Sequence, residues 1–480
     1  MNRPRPNEIP ADRNWLRPGF LSASGRNLAM DGVDLVALAR SRGTPLLVYS
    51  ERRLVETARG MVDTLRAVDP NVTVCYASKA CSLIAILRRL NELGIDVEVN
   101  SGGELFKART AGVPAGRIVH NGVAKSAGEL LAACDPPIKA INVDGLGELE
   151  RLASVLKDTS HRAHVALRIV PGLASRTAAG NQTGSENTKF GLLESELPEA
   201  LRVLDENADR IALVGLHAHI GSQIADAGLY EAAARRLATV AASLGRPLEH
   251  VNIGGSFALP YLRGANCSPQ DELFLADLDP AEAARRAVPP LRQALGREIE
   301  ILVEPGRRLV GETAVLLAAV DGIKQRTGCP WLILDAGYHT IVESFTYKWY
   351  YHCVAAGRLD EPADMAVRLL GPLCDSGDAF HDVEGEALLE RIAQADPVFA
   401  AKRGALEPLL VRMPRRRMLP AATRVGDVLA FLDAGAYLVD QMTPNNGRPR
   451  PEIGMIGEDG RYRPIRRGDS QADLLFNEVF

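Results

Sequence analysis

The stretch TVCYASKACSLIAILRRLNELGIDVEVNS (73–101) decides the fold of this chain. It opens with an apolar run, continues through a segment with helical spacing of Leu and Ile, and ends in a second apolar run closed by Asn and Ser. A unit of strand, helix and strand is typical of parallel sheets, whose strands are covered on both faces and therefore show no polar alternation. The sequence thus predicts an α/β fold.

Similar apolar runs recur along the first 310 residues. Five successive runs start 22 to 24 residues apart, which is the length of one strand, one helix and two loops. After PLLVYS (45–50), eight runs remain: TVCYASK (73–79), DVEVNS (96–101), IVHNG (118–122), AINVDG (140–145), HVALRIV (164–170), LVGLHAHIGS (213–222), HVNIGGS (250–256) and EILVEPG (300–306). Eight strands predict a closed (β/α)8 barrel of the TIM type, and an open doubly wound sheet is the competing architecture.

The chain has 480 residues, 46% of them hydrophobic, which is enough apolar material for more than one domain. Beyond about residue 311 the pattern changes to short strands and turns. We therefore predict a barrel domain over residues 46–310 and a second, mostly β domain over 311–480. Residues 1–45 contain no complete barrel unit and are predicted to join the β domain.

Composition narrows the class of partner. Lys and Arg number 56 against 60 Asp and Glu, a formal charge of −4, so neither nucleic acid nor an acidic membrane surface is favoured over a small-molecule substrate. The sequence shows neither a signal peptide nor a run of the roughly 20 apolar residues that cross a bilayer. Seven scattered cysteines without a C-x-x-C pair argue against disulfides and thiolate zinc sites, and we expect a cytoplasmic protein.

The active site of a (β/α)8 barrel lies at the carboxyl ends of its strands, so the residues that close each run are site candidates. They are Lys79, Ser101, Asn121, Asp144, Arg168, His219, Gly254, Gly255, Glu304 and Arg307. A lysine in this position can be an amine nucleophile toward an aldehyde cofactor, whereas an isolated one would more often only face solvent. IGGS (253–256) and EPGR (304–307) are suited to phosphate, because glycine lets backbone N–H groups approach it.

The histidines of HAHIGS (217–222) point to the same side of their strand, so one of them is suited to lie flat against a ring. The alternative is a pair of hydrogen-bonded core histidines. A metal is not predicted, because the sequence shows no nearby carboxylate or third histidine to complete a ligand set.

Seven motifs then occur in one order: YASK (76–79), SGGEL (101–105), HIGSQ (219–223), IGGS, EPGR, GPLCDSGD (371–378) and DAGAY (433–437). Over roughly residues 30–470 they resemble the fold-type III pyridoxal-phosphate decarboxylases, the group of diaminopimelate and ornithine decarboxylases. The resemblance implies an alanine racemase-like barrel, pyridoxal 5'-phosphate as cofactor, and a homodimer whose active sites are shared across the interface.

The resemblance also implies roles for single residues. Lys79 resembles the lysine that holds the cofactor, His219 the imidazole stacked on its ring, and Glu304 the carboxylate that faces the ring nitrogen, and Cys374 resembles a catalytic thiol supplied by the second subunit. Further cofactor contacts are implied for Ser222, Gly254, Gly255, Ser256, Gly306, Arg307 and Tyr437, and substrate contacts for Arg307, Asp375, Ser344, Tyr351 and Tyr437. Ser256 departs from the family, which more often has a third glycine there.

Two departures bear on the substrate. Typical diaminopimelate enzymes have an Arg-Pro pair shortly after D-A-G, and residues 334–352 contain no arginine. Asp375 follows the cysteine where those enzymes usually have Glu. The resemblance therefore favours bacterial D-ornithine and D-lysine decarboxylases, which form putrescine or cadaverine in polyamine biosynthesis. The alternatives are meso-diaminopimelate decarboxylation to L-lysine, a tailoring decarboxylase of a modified or carrier-bound amino acid, and a cofactor-less regulatory homologue.

Overall fold

A computed structural model describes residues 16–17, 19–173, 184, 188–261 and 276–479. These residues fall into two compact units. One unit is built from the described parts of Met1–Leu54, Pro260–Leu275 and Gly311–Phe480, and the other from those of Val55–Leu259 and Ala276–Val310. We refer to them as the sheet unit and the barrel unit.

The sheet unit begins with a small antiparallel sheet. Its strands are β1 (Leu21–Ser24), β2 (Asn27–Met30) and β3 (Val33–Asp34), followed by helix α1 (Leu35–Arg42) and strand β4 (Leu46–Ser50). Asp34 caps α1, because its carboxylate accepts the N–H groups of Val36 and Ala37. Helix α2 (Glu51–Val68) then leads into the barrel unit.

The barrel unit is a closed parallel barrel of eight strands, as predicted. They are β5 (Val72–Ala77), β6 (Asp96–Val99), β7 (Ile118–His120), β8 (Ala140–Val143), β9 (Ala163–Arg168), β10 (Ile211–His217), β11 (His250–Gly255) and β12 (Glu300–Glu304). Strand β12 pairs with β5 and closes the barrel, which excludes the open doubly wound sheet. All eight predicted runs coincide with these strands.

Helices connect the barrel strands: α3 (Ile84–Glu92), α4 (Gly102–Thr110), α5 (Ala127–Ala133), α6 (Leu146–Leu156), α7 (Leu197–Glu206), α8 (Ala227–Leu244) and α9 (Pro280–Leu295). The short helix α10 (Arg307–Val310) follows the last strand, β12. Several of them begin at serine or aspartate caps. The Ser101 hydroxyl accepts the Glu104 N–H at the start of α4, and Ser126 and Glu129 form a capping box at the start of α5.

The rest of the sheet unit is mostly β structure. Its strands are β13 (Ala314–Lys324), β14 (Trp331–Leu334), β15 (Cys353–Ala355), β16 (Met365–Leu370), β17 (Arg417–Leu419), β18 (Val428–Phe431), β19 (Glu452–Ile456) and β20 (Tyr462–Arg466). The main order is β17-β16-β14-β13-β4-β19-β20, and β18 pairs with β13 and β15.

Strand β4 belongs to a different unit from the one that the predicted domain boundary assigned to it. The barrel domain was predicted to begin at residue 46, yet Leu46–Ser50 pairs with β13 and β19 in the sheet unit. All five residues of β4 are buried. Because a strand covered on both faces reads as a continuous apolar run in either kind of sheet, the pattern alone does not assign it to one domain.

The sheet unit also contains four helices that the sequence analysis did not predict: α11 (Val342–Thr346), α12 (Val383–Ala395), α13 (Pro397–Ala401) and α14 (Arg403–Leu410). A signal for α12 is present, since EGEALLERIAQA spaces its apolar residues three and four apart. Across the described residues, no helix is both long enough and apolar enough to traverse a lipid bilayer.

Candidate active site

Lys79 lies at the carboxyl end of β5, in a short 3₁₀ turn over Ser78–Ala80. The turn is held on two sides: the Ser78 hydroxyl donates to Glu104 Oε2 at 2.6 Å, and the Ala77 N–H donates to the Pro305 carbonyl at 3.1 Å. A side chain at Gly306 would come within 3.1 Å of the Cβ of Ala77, so glycine allows this close approach. The lysine therefore starts from a rigid base.

Glu304 closes β12 and is fully enclosed by polar side chains. Asn252 Nδ2 donates to it at 2.7 Å, Asn121 Nδ2 contacts both carboxylate oxygens at 3.1 Å, and His217 Nε2 lies 3.3 Å from Oε2. Burial alone would raise the pKa of Glu304, but the hydrogen bond from His217 and the positive charge of Lys79 bring this pKa below the usual value. Glu304 is therefore an ionised carboxylate in a buried site.

His217, the last residue of β10, and His219, which follows the strand, are stacked. Their ring centroids lie 6.4 Å apart at an interplanar angle of 14°. Burial lowers the pKa of His217, although Glu304 opposes the effect, and burial with the charge of Lys79 lowers the pKa of His219 further. His217 is thus neutral and donates from Nε2 to Glu304, while the half-buried His219 retains a ring face in the site.

The end of β11 and the residue after it bring backbone close to His219. Gly254 has a φ of +71°, and a Cβ on Gly255 would lie 1.8 Å from the Glu304 carbonyl oxygen, so neither position accepts a side chain without movement. The Gly255 N–H points at His219 Nδ1 at 3.4 Å. Ser256, at a φ of +77°, donates its hydroxyl to the Gly221 carbonyl and lies 3.3 Å from His219 Nε2.

Two other strand-end candidates pair with each other. Arg168, at the end of β9, lies 3.4 Å from Asp144, which follows β8, and its guanidinium covers the Phe190 ring at 4.5 Å. Asp144 also accepts the Gly191 N–H at 3.2 Å. The contacts of this pair order the loops after β8 and β9.

Sequence reasoning missed several polar residues that face the barrel interior: Glu98, Asn142, Asn252 and, as a partner of Glu304, His217. Asn142 Nδ2 donates to Asn121 Oδ1, and Asn121 donates in turn to Glu98 Oε1 at 2.7 Å. The signal for two of them was a polar residue between two apolar ones within a strand, as with Glu98 in VEV and Asn252 in VNI. Such a residue within a buried strand needs a polar partner inside the barrel.

A metal was not predicted because no carboxylate was recognised near HAHIGS, and that reason is wrong. Ligand atoms of His217, His219 and Glu304 lie within 4.8 Å of one another. The carboxylate was missed because Glu304 is 85 positions further along the chain than His219. The three side chains satisfy the spacing of a metal site, but two of them are also those that the resemblance assigns to the cofactor ring.

Of the remaining predicted residues, Ser222 and Arg307 lie in the barrel unit, and the others belong to the sheet unit. Cys374 is exposed, and its N–H donates to Asn446 Oδ1 at 2.8 Å. Asp375 is also exposed, and its carboxylate accepts the Gly377 N–H at 2.8 Å. Tyr437 is half-buried, with a φ of +63°. The structure thus places these three in a different unit from Lys79 and Glu304.

Ser344 and Tyr351 are both buried, and their hydroxyls are used within the sheet unit. Ser344 Oγ donates to the Trp349 carbonyl at 2.8 Å, and the Tyr351 hydroxyl donates to Glu343 Oε2 at 2.9 Å. Their predicted substrate contacts remain predictions, and the observed contacts give both residues a role in holding this segment together.

The barrel residues fit pyridoxal phosphate. A buried ionised carboxylate such as Glu304 matches a protonated ring nitrogen, and the flanking Asn121 and Asn252 keep it in place. Gly254 and Gly255 let the end of β11 pack against His219 and the Glu304 backbone, where side chains would collide. The positive φ of Gly254 and Ser256 bends the backbone there, as in turns that bind anions. Lys79 supplies the amine that an aldehyde needs.

The chain is similar to proteins of known family. Residues 52–311 match the family described as pyridoxal-dependent decarboxylase, pyridoxal binding domain. The diaminopimelate decarboxylase of Bacillus subtilis is 34% identical over 94% of both chains. That of Methanocaldococcus jannaschii is 29% identical over 94% of both chains, and a crystal structure of it in co-complex with L-lysine aligns with a TM-score of 0.80, 27% identity and coverage of 96% of this chain and 98% of that one. A lysine/ornithine decarboxylase from Vibrio vulnificus, complexed with putrescine, shares the fold at 21% identity and a TM-score of 0.65, covering 89% of this chain and 98% of that one.

Proposed function

We propose, from the premise that this chain belongs to the pyridoxal-dependent decarboxylase family, that it decarboxylates meso-diaminopimelate. The protein is a pyridoxal phosphate-dependent amino-acid carboxy-lyase. The observation that carries the substrate is the similarity to diaminopimelate decarboxylases over 94% of both chains. These relatives favour the alternative substrate of the sequence analysis over the predicted D-ornithine or D-lysine.

The proposed roles in the barrel follow from the contacts of each side chain. Lys79 holds the cofactor, and Glu304 keeps the ring nitrogen protonated because it remains ionised in its buried site. Bound pyridoxal phosphate withdraws the electron pair that departing carbon dioxide leaves behind. His219 covers one face of the ring, and its own position is supported by Gly255 and Ser256.

The phosphate is proposed to lie against backbone N–H groups of the turn after β11. Ser222, Gly254, Gly255, Ser256, Gly306, Arg307 and Tyr437 are its proposed contacts. The bend of the backbone at the end of β11 supports this placement, since Gly254 has a φ of +71° and Ser256 a φ of +77° beside His219.

Cys374 is proposed to return a proton to the α-carbon from a second copy of the chain. Its exposure supports this role, because a thiol offered to another subunit has to be accessible in a single chain. The loop that carries it is held by Asn446 and by Asp378, whose carboxylate accepts the Leu373 N–H at 2.8 Å. The homodimer is part of the same proposal.

A second candidate substrate is a basic diamino acid such as ornithine or lysine. Residues 334–352 contain no arginine that could form a charge-assisted pair with the second carboxylate of diaminopimelate. This observation favours ornithine or lysine, of either chirality, as the competing substrate.

The two candidates are separated by steady-state decarboxylation of meso-diaminopimelate beside both enantiomers of ornithine and lysine. We expect the highest kcat/KM for meso-diaminopimelate, measured as released carbon dioxide. A higher value for ornithine or lysine would replace the first proposal by the second.

A further inference from the structure

Glu98 is a second carboxyl group in the barrel interior, and nothing proposed so far uses it. It lies on β6 and is completely buried. Its direct partner in the neighbouring strand is Ala77, two residues before Lys79. Side chains of paired residues in parallel strands point to the same face, so Glu98 lies in the layer of the barrel directly below the lysine turn.

The hydrogen bonds of Glu98 are incomplete. Oε1 accepts the Asn121 amide at 2.7 Å, while Oε2 has no hydrogen-bond partner among the described residues. Asn121 contacts Glu304 with the same Nδ2 group. One neutral amide thus joins two buried carboxyl groups, one of which is left with an unsatisfied oxygen. A carboxylate in that situation is costly, whereas a carboxylic acid is tolerated.

Charged groups from four elements act on Glu98: Lys79 from the turn after β5, Glu304 from β12, Glu104 from α4 and Arg168 from β9. Burial raises the pKa of Glu98 to about 7, Glu304 and Glu104 act in the same direction, and Lys79 opposes them. The pKa of Glu304, by contrast, is lowered in the same environment. Two carboxyl groups whose environments separate them in this way take different roles.

We propose that Glu98 is a positioning residue for Lys79: the charge on its carboxyl group decides how readily the lysine nitrogen gives up its proton. When Glu98 is ionised it stabilises the cationic form of that nitrogen, and when it is protonated the stabilisation is gone. Because an amine is a nucleophile only without its extra proton, Glu98 controls the state in which Lys79 exchanges its partner. The inference rests on the proposed attachment of the cofactor to Lys79.

The test is a pH titration of the visible absorption band of the holoenzyme, which reports the proton on the nitrogen that joins Lys79 to the cofactor. Glu98→Gln removes the negative charge, so the cationic nitrogen is less stable. We expect the midpoint to move to lower pH by about one unit. Glu98→Asp restores a carboxyl group on a shorter side chain and is expected to titrate between the two.

The matched control is Glu300→Gln, the same change of residue type at the amino end of β12, the strand that carries Glu304 at its carboxyl end. It should titrate like the unchanged enzyme. The proposal is overturned if Glu98→Gln keeps its cofactor and titrates at the original pH, or if the band of the unchanged enzyme does not respond to pH between 5 and 10. If Glu98→Gln does not fold, Glu98→Ala takes its place, because it also removes the charge, and an unchanged midpoint in that variant overturns the proposal equally.

Failure of this inference is distinguishable from failure of the proposed function. A wild-type protein with no visible band, or with a cofactor trapped by borohydride at another lysine, contradicts the proposed attachment. A wild-type protein with the adduct at Lys79 and an unshifted Glu98→Gln titration contradicts only the role of Glu98.

Discussion

His217 Nε2 lies 3.3 Å from Glu304 Oε2, and both side chains are inaccessible to solvent. Burial favours neutral imidazole, so His217 serves as a hydrogen-bond donor rather than as a cation. Together with Asn121 and Asn252 it surrounds Glu304 with donors that leave the carboxylate its full charge. That charge is available to a ring nitrogen.

Glu304→Gln should lower kcat by about 100-fold or more, because a buried charge that acts in the transition state is replaced by a neutral group. The measurement is steady-state decarboxylation of fully loaded enzyme, with cofactor content followed by its visible band. Glu300→Gln, on the same strand at the other end of the barrel, should keep normal kcat. Equal kcat values for the two variants would contradict the role of Glu304.

Glu98 should make stability depend on pH. Its pKa in the folded protein is about 7, against an ordinary value of 4.5, so between these values the folded state binds a proton that the unfolded state has lost. The stabilisation is complete below pH 4.5 and is lost as pH rises to about 7. As pH rises over this interval, the free energy of unfolding of Glu98→Gln should therefore increase relative to that of wild type by on the order of 1–3 kcal/mol. Thermal unfolding midpoints of both proteins at pH 5 and 8 test this expectation. The same difference between variant and wild type at both pH values would contradict it.

Ser256 adopts a φ of +77°, a conformation that a side chain disfavours. Ser256→Gly removes that strain and also the contact with the Gly221 carbonyl, whereas Ser256→Ala keeps the strain and loses the contact. We expect the glycine variant to be more stable than the alanine variant by about 1–2 kcal/mol. Paired thermal unfolding experiments decide this, and an alanine variant of equal or greater stability would show that the strain is negligible.

Lys139 lies near the amino ends of the barrel strands, where its Nζ is 2.9 Å from Asp96 and 3.0 Å from Glu300. Lys139→Met should destabilise the protein by about 1–3 kcal/mol, because it leaves the buried Asp96 with Arg117 as its ion-pair partner among the described residues. Since active sites of such barrels lie at the other end, kcat/KM should be unchanged. The exposed Lys157→Met is the control for stability, and a loss of activity in folded Lys139→Met would contradict the expectation.

Asp378 should hold the loop that carries Cys374. Its carboxylate accepts the N–H groups of Tyr338 at 2.7 Å and Leu373 at 2.8 Å. In Asp378→Asn one acceptor oxygen becomes a donor, so one of these N–H groups loses its partner, at a cost of about 1–3 kcal/mol. Hydrogen exchange at Tyr338 or Leu373 should accelerate, while Asp375→Asn should leave both amides protected. Equal protection in the two variants would rule out this role of Asp378.

Local patterns were sufficient for the barrel. An apolar run that ends in polar or glycine residues predicted each barrel strand. The regular spacing of these runs predicted alternating strands and helices, and their number predicted the number of strands. The same patterns could not separate Leu46–Ser50 from barrel strands, because burial on both faces erases the distinction. The apolar residues of α12 have helical spacing, and this helix was missed because it lies within a region predicted to be mostly β.

The sequence by itself determined the eight parallel strands, the strand-end lysine at position 79, and the position of the glycine-rich segments at the strand ends. Only the tertiary structure decided which polar residues meet inside the barrel: Glu98, Asn121 and Glu304 come from three strands, and their contacts separate the acidities of two carboxyl groups. The physical reason is that strand periodicity is local, whereas the charge of a buried carboxyl group depends on neighbours that closure of the barrel brings together.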